Sequence, residues 1–210
     1  MDVTMVQAPA AIVKAVVGIA ILAAFAAQAQ PAQPVSPGLK CRIVPPLSAD
    51  ISADDRAAQD AFCAIDVTST SVAMCAKNWS TSPAALIYDL EHTPWEGKAA
   101  EFEAQVCAVG GRAREQSHAE LAMFKNSLNG RETSGTFAPS SVLYYHFSRL
   151  LQTRLQVPVA VLAEFPRENY FQRVVLPGLK NSESKRLKML HAGWREMDVA
   201  LADPQTYHHR

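Results

Sequence analysis

The side chains with chemistry to offer are four cysteines, a lysine closing an apolar pentapeptide, a lone histidine and a terminal histidine pair. Cys41, Cys63, Cys75 and Cys107 form an even set. None follows a C-x-x-C spacing, which disfavours a zinc knot or a dithiol redox pair and favours two disulfides. Three pairings are open to four cysteines. Cys41–Cys63 and Cys75–Cys107 are expected, the first closing the loop before a first helix. The second would tie a loop to a helix ending near Val109. Full oxidation would leave no thiol to act as a nucleophile. Lys125 ends the run Leu121-Ala122-Met123-Phe124-Lys125, with a polar loop and an amphipathic helix after it. A strand lysine ahead of a helix can rest an ammonium on nucleotide phosphates, and the bland reading is a solvated strand end. His146, beside Tyr145, reads as a structural, hydrogen-bonded imidazole, and His208-His209 as a frayed end. Ser182-Glu183-Ser184-Lys185 matches S-x-x-K without its companion motifs. Nucleophile-elbow, zincin, P-loop and dinucleotide fingerprints are all missing from the sequence. No complete catalytic set, and no metal set, can be assembled.

Composition bounds the rest. Twenty basic and twenty acidic residues in 210 leave a formal net charge of zero, so no field exists to hold a nucleic acid. Residues 1–29 read as a secretory signal, with Lys14 ahead of the apolar run Ala15–Ala27 and the small-x-small site Ala27-Gln28-Ala29. That run falls short of the roughly 20 residues needed to cross a bilayer, so no stable span is expected after cleavage. An uncleaved anchor is the alternative. Residues 30–40, with Pro31, Pro34 and Pro37, make a tether. The mature chain is expected to be secreted or periplasmic, where disulfides persist. Residues 41–178 are read as one domain, 179–202 as a helix packed on or extending it, and 203–210 as a tail.

The elements that must position these residues follow from periodicity. Ser52 and Asp55 are spaced as a capping box for a helix over 53–65, with Ala58, Phe62 and Ile65 inward and Asp54, Asp55 and Asp60 solvated. Residues 84–90 and 120–125 read as strands, the latter with Leu121 and Met123 on one face and Phe124 on the other. Thr93-Pro94-Trp95-Glu96 predicts a helix start, and Gly110-Gly111 its stop. Asn78-Trp79-Ser80 fits a glycosylation sequon. A helix from Pro139 to Gln152 is expected to bury Leu143, Phe147, Leu150 and Leu151, with Val142 and Tyr144 at the edges. Val157–Ala163 has strand composition. Arg167–Val175 has helical spacing ended by Pro177-Gly178. Leu187, Leu190, Trp194, Met197 and Leu201 predict an amphipathic helix over 183–202. Interspersed helices and short strands imply an α+β fold with a small mixed or antiparallel sheet and several amphipathic helices.

One ordered set of segments goes further. Ala122-Met123-Phe124-Lys125, Arg131-Glu132, Leu143-Tyr144-Tyr145-His146-Phe147-Ser148-Arg149-Leu150-Leu151 and Val157-Pro158-Val159 resemble the N-terminal lobe of secretory-pathway atypical kinases. That family includes the Golgi casein kinase and four-jointed, and the likeness spans about residues 120–161. It implies a kinase N-lobe-like fold, with Lys125 on the phosphates of ATP bound with Mg²⁺ or Mn²⁺ and its ammonium facing the helix 139–152. The family's helix acid falls here on Ser141, leaving Glu132 as the substitute orienting group. No catalytic or metal-binding aspartate pair follows Val161, and the remaining length is too short for a C-terminal lobe. The resemblance therefore implies a lobe inactive alone, whose partner would be a missing or separate C-terminal lobe. The alternative is an exported interaction module with no nucleotide site, using the exposed face of residues 183–202 with Lys185, Arg186, Lys188 and Arg195 (or simply presenting a solvated helix face).

Overall fold

The computed structural model describes residues 40–47, 51–109, 112–128, 132–133, 135, 137–183 and 185–202. The expected signal and most of the tether, Gly110-Gly111, Gly130-Arg131, Ser184, the Lys185 side chain and the tail with His208-His209 lie outside them.

Strand β1 (Lys40–Arg42) leads to helix α1 (Ala53–Cys63). Ser52 caps α1, its hydroxyl accepting from the Asp55 amide at 3.0 Å, as the spacing predicts. The inward face differs from expectation: Asp55, Gln59 and Cys63 are buried, while Ala58 and Phe62 are only partly covered. Strands β2 (Val72–Ala76) and β3 (Ala85–Asp89) follow, then helix α2 (Ala99–Gln105), a 3₁₀ turn at Cys107–Val109, and helix α3 (Ala113–Gln116). The helix predicted from Thr93 starts later, at Ala99. Thr93 and Glu96 are used in a turn instead: the Thr93 hydroxyl accepts from Trp95 N–H, and Glu96 accepts from His92 N–H. Gly97, at φ +73°, then breaks the path to a helix.

Strand β4 (Ala119–Phe124) completes an antiparallel sheet of order β2-β3-β4. One face carries Met74, Ala76, Ala85 and Ile87; the other carries Ala73, Cys75, Leu86 and Tyr88. Both faces are covered, so strand residues need not alternate with polar ones. That is why β2, V-A-M-C-A, offers no period-two signal and is not anticipated by the sequence reading. Cys75 consequently lies in a strand rather than a loop. A bulge opposite Ile87 and Tyr88 inserts Leu121, which packs with Ala122 and Phe124 while Met123 takes the other side. The predicted grouping of Leu121 with Met123 is thus corrected by one extra residue.

Helix α4 (Pro139–Leu150) and strand β5 (Leu162–Glu164) come next. Only these last residues of the expected strand pair, because their antiparallel partner β1 is itself three residues long. The chain then runs without a break through helix α5 (Arg167–Tyr170), a π-helical turn at Phe171–Val175 and helix α6 (Leu176–Asn181). Pro177-Gly178 does not end the helix. The wider π turn lets Leu176 N–H reach Phe171, and Pro177, with no N–H to satisfy, sits in the opening turn of α6. Gly178 is needed for closeness: a Cβ there would lie 2.5 Å from the Trp194 ring.

Helix α7 (Lys188–Ala202), preceded by a 3₁₀ turn, buries Leu190, Trp194, Met197 and Leu201 as the periodicity predicts. These join Val174, Val175 and the Met74–Ile87 face of the sheet in the larger core; α2 covers the other face through Phe102 and Val106. The result is an α+β fold with two small antiparallel sheets.

Arg173 on the π turn ties these layers together. It pairs with Glu103 at 2.6 Å and donates to the carbonyls of Val67 and Val72; Glu103 in turn accepts from Met74 N–H at 2.7 Å. Both cysteine pairs are in bonding position, Cys41–Cys63 joining β1 to α1 and Cys75–Cys107 joining β2 to the turn after α2, each with Cα atoms 5.3 Å apart. This is the expected pairing.

Candidate functional site

Helix α4 has apolar residues on two faces, and it is the polar neighbours that decide which one turns inward. Arg149 reaches Asp55 on α1 with two hydrogen bonds, Nε to Oδ2 at 2.6 Å and Nη2 to Oδ1 at 3.0 Å. Its guanidinium stacks 4.9 Å from the Tyr145 ring centre and donates to the Ser148 hydroxyl, which donates to the Tyr145 carbonyl. A bidentate, partly desolvated pair of this kind fixes orientation as well as contact. Val142, Tyr145, His146 and Ser148 are therefore buried. Asp55, expected on a solvated face, is instead the anchor for a helix 94 residues away.

Rotation of α4 about this clamp exposes the stripe that was expected to be buried. Leu143, Phe147 and Leu150 are each close to half exposed, and Tyr144 and Leu151 are 68% and 67% exposed. They span roughly a third of the helix circumference, at about 100° per residue. Phe137 and Leu155, just beyond the two ends, are exposed as well. The only charged side chain between Pro139 and Thr153 is Arg149, engaged with Asp55. Gln152 closes the helix at φ +47°, with Thr153 N–H on the Ser148 carbonyl and Gln152 N–H on that of Arg149.

The buried cluster has consistent electrostatics. Arg149 beside it holds the Asp55 carboxyl below the ordinary carboxylate value. Burial, then the Asp55 charge, pushes the Tyr145 phenol up, and burial pushes the His146 imidazole down. His146 is expected to be hydrogen-bonded; among the described residues its Nε2 has no partner, and neither has Gln59 Nε2. This cluster has the chemistry of a bracket: its acid is engaged by Arg149, and the Ser148 hydroxyl is spent on the Tyr145 carbonyl.

Lys125 lies just past β4, half-buried, and its charge, after burial itself, depresses the ammonium of Lys77. Among the described residues no hydrogen bond or ion pair joins Lys125 to α4 or to Glu132, which is exposed in a turn. The start of α4 is tied to this region by Ala138 N–H donating to Ser127 Oγ at 3.1 Å. Ser141, at the position of the family's helix acid, is exposed. Asn78 of the sequon faces inward, its amide donating to the Cys107 carbonyl. Ser182 is fully buried at the end of α6 and lies 3.2 Å from His191 Nδ1 while donating to the Leu179 carbonyl; among the described residues no acid is hydrogen-bonded to His191. Arg186 and Lys188 border an open hollow of about 440 Å³ with Trp79 and Met189. Among the described residues no group of three or more metal-ligating side chains occurs, and no helix is long and apolar enough to cross a membrane.

The molecule is thus a disulfide-braced α+β protein with an outward apolar helix as its most distinctive surface. No protein family, curated protein or solved structure matches it.

Proposed function

We propose that this chain is an exported interaction module whose contact surface is the outward face of α4. The single observation carrying this is the inversion of that helix, which turns Arg149 onto Asp55 and buries a histidine and a serine while leaving Leu143, Tyr144, Phe147, Leu150 and Leu151 facing outward. Contiguous apolar surface without charge is kept on a stable domain chiefly where something else covers it. The pair of disulfides is compatible with an oxidising compartment. The test is a Leu143→Ser/Leu151→Ser double variant, checked for native circular dichroism. Association seen with the wild-type chain should be lost in the variant; a variant that keeps every association of the wild type overturns the reading.

A second reading keeps the nucleotide. Lys77 and Lys125 stand near enough to repel, and a bound phosphate would relieve that repulsion. In this reading the chain acts as the front lobe of a secreted atypical kinase, with ATP and Mg²⁺ or Mn²⁺ on Lys125 and a separate C-terminal lobe as partner. Calorimetric titration with ATP and either metal should then give heat that Lys125→Ala abolishes. Absence of heat at millimolar nucleotide removes this reading and leaves the first untouched.

A further inference from the structure

We infer that the occupant of the α4 face is a second copy of this chain, the two helices packing about a two-fold axis close to Phe147; this rests on α4 being the contact surface. The area is right. The five outward side chains leave on the order of 500 Å² exposed, given about 150–250 Å² for a whole aromatic side chain. Two such arcs face to face remove about 1,000 Å² from water, the threshold for a specific interface, and Phe137 and Leu155 carry it toward the standard ~1,600 Å².

The arrangement is also self-complementary. Phe147 stands midway between Leu143 and Leu151, so a two-fold axis there sets each Phe147 beside its copy. Leu143 then meets Leu150 and Leu151 of the other helix, aliphatic on aliphatic. An isologous contact requires a surface able to face itself, and charge is the usual obstacle. Residues 137–153 carry no charge other than Arg149, which is paired with Asp55; the exposed Arg154 lies beyond them, and the chain's formal net charge is zero, so no net long-range repulsion opposes pairing. A lipid surface fits less well. Helices that lie on membranes display lysine and arginine along the polar face, whereas the polar face of α4 is turned into the domain and its one arginine is spent on Asp55.

Sedimentation velocity of the full chain at micromolar concentration tests this, with Phe147→Glu and Phe147→Lys made separately. The wild type should be a dimer. Each variant, folded by circular dichroism, should weaken dimerisation at least about 100-fold, because like charges meet at the axis. An equimolar mixture of the two variants should dimerise again, which unfolding or a general loss of apolar surface would not produce. A wild-type dimer unaffected by Phe147→Glu would place the interface elsewhere and overturn the inference. So would variants that stay monomeric when mixed. A wild-type monomer whose Phe147 is readily oxidised by hydroxyl radicals would exclude a second copy while leaving α4 open to another partner. A monomer with Phe147 shielded would remove both readings. Binding to phosphatidylcholine vesicles in place of dimerisation would reassign the face to lipid.

Discussion

Replacing Arg173 by methionine tests whether the layers of this fold are held by one buried ionic hub. The guanidinium makes three short contacts with Glu103, at 2.6, 3.0 and 3.2 Å, and also serves the carbonyls of Val67 and Val72. The side chains of Arg173 and Glu103 are 20% and 11% exposed. Methionine fills most of the volume but leaves the Glu103 carboxylate, among the described residues, with Met74 N–H as its remaining partner. Removing one member of a buried pair costs about 3–5 kcal/mol, because the other charge is stranded rather than because the pair itself is strong. At about 2–4 °C per kcal/mol for a domain of this size, Tm should fall by about 6–20 °C. Thermal and urea unfolding followed by circular dichroism, with the disulfides oxidised, would measure it. The partner variant Glu103→Gln keeps an acceptor for Met74 N–H, so the double variant Arg173→Met/Glu103→Gln should recover about 2 kcal/mol relative to additivity. Loss of less than about 1 kcal/mol in Arg173→Met would refute the hub, since no stranded charge could then exist.

Further outcomes follow from other sites. Gly178→Ala should destabilise by about 1–3 kcal/mol in chemical unfolding, because its Cβ would collide with the buried Trp194 ring and any gain in helix propensity is smaller. Gln152→Gly should stabilise by about 0.5–1 kcal/mol in the same assay, relieving a left-handed residue at the end of α4. The Asp55 carboxyl has a depressed folded-state pKa, so its stabilising contribution is complete above the unfolded value and fades as pH falls through the folded one. Asp55→Asn should therefore unfold more easily at pH 7 but show a shallower loss of stability below about pH 4. Urea midpoints measured between neutral and acid pH would check this, and a parallel acid limb in both proteins would contradict the assignment.

Much of this fold is legible in the amino-acid order wherever local chemistry decides. Ser52 and Asp55 carry the cap of α1, the Leu190–Leu201 stripe is recoverable from its spacing, and an even cysteine count outside any C-x-x-C pattern points to two disulfides, though not to their pairing. These depend on contacts within a few residues, or on a single dominant apolar face. Strand β2 and the chain path from Thr93 to Ala99 do not, because a strand covered on both sides has no alternation and a turn can use the same Thr and Glu as a helix cap.

The proposed contact surface belongs wholly to this second kind. Helix α4 carries Val142 and Tyr145 on one side and Leu143, Phe147 and Leu151 on another, and a hydrophobic count favours burying the second set. Its orientation is instead decided by Arg149, which finds its carboxylate on α1, 94 residues away. The sequence by itself determined that α4 would be an amphipathic helix starting at Pro139. Only the tertiary structure decided which face meets water, because a charge desolvated without its partner costs more than an exposed leucine stripe, and that partner is brought to it by the fold.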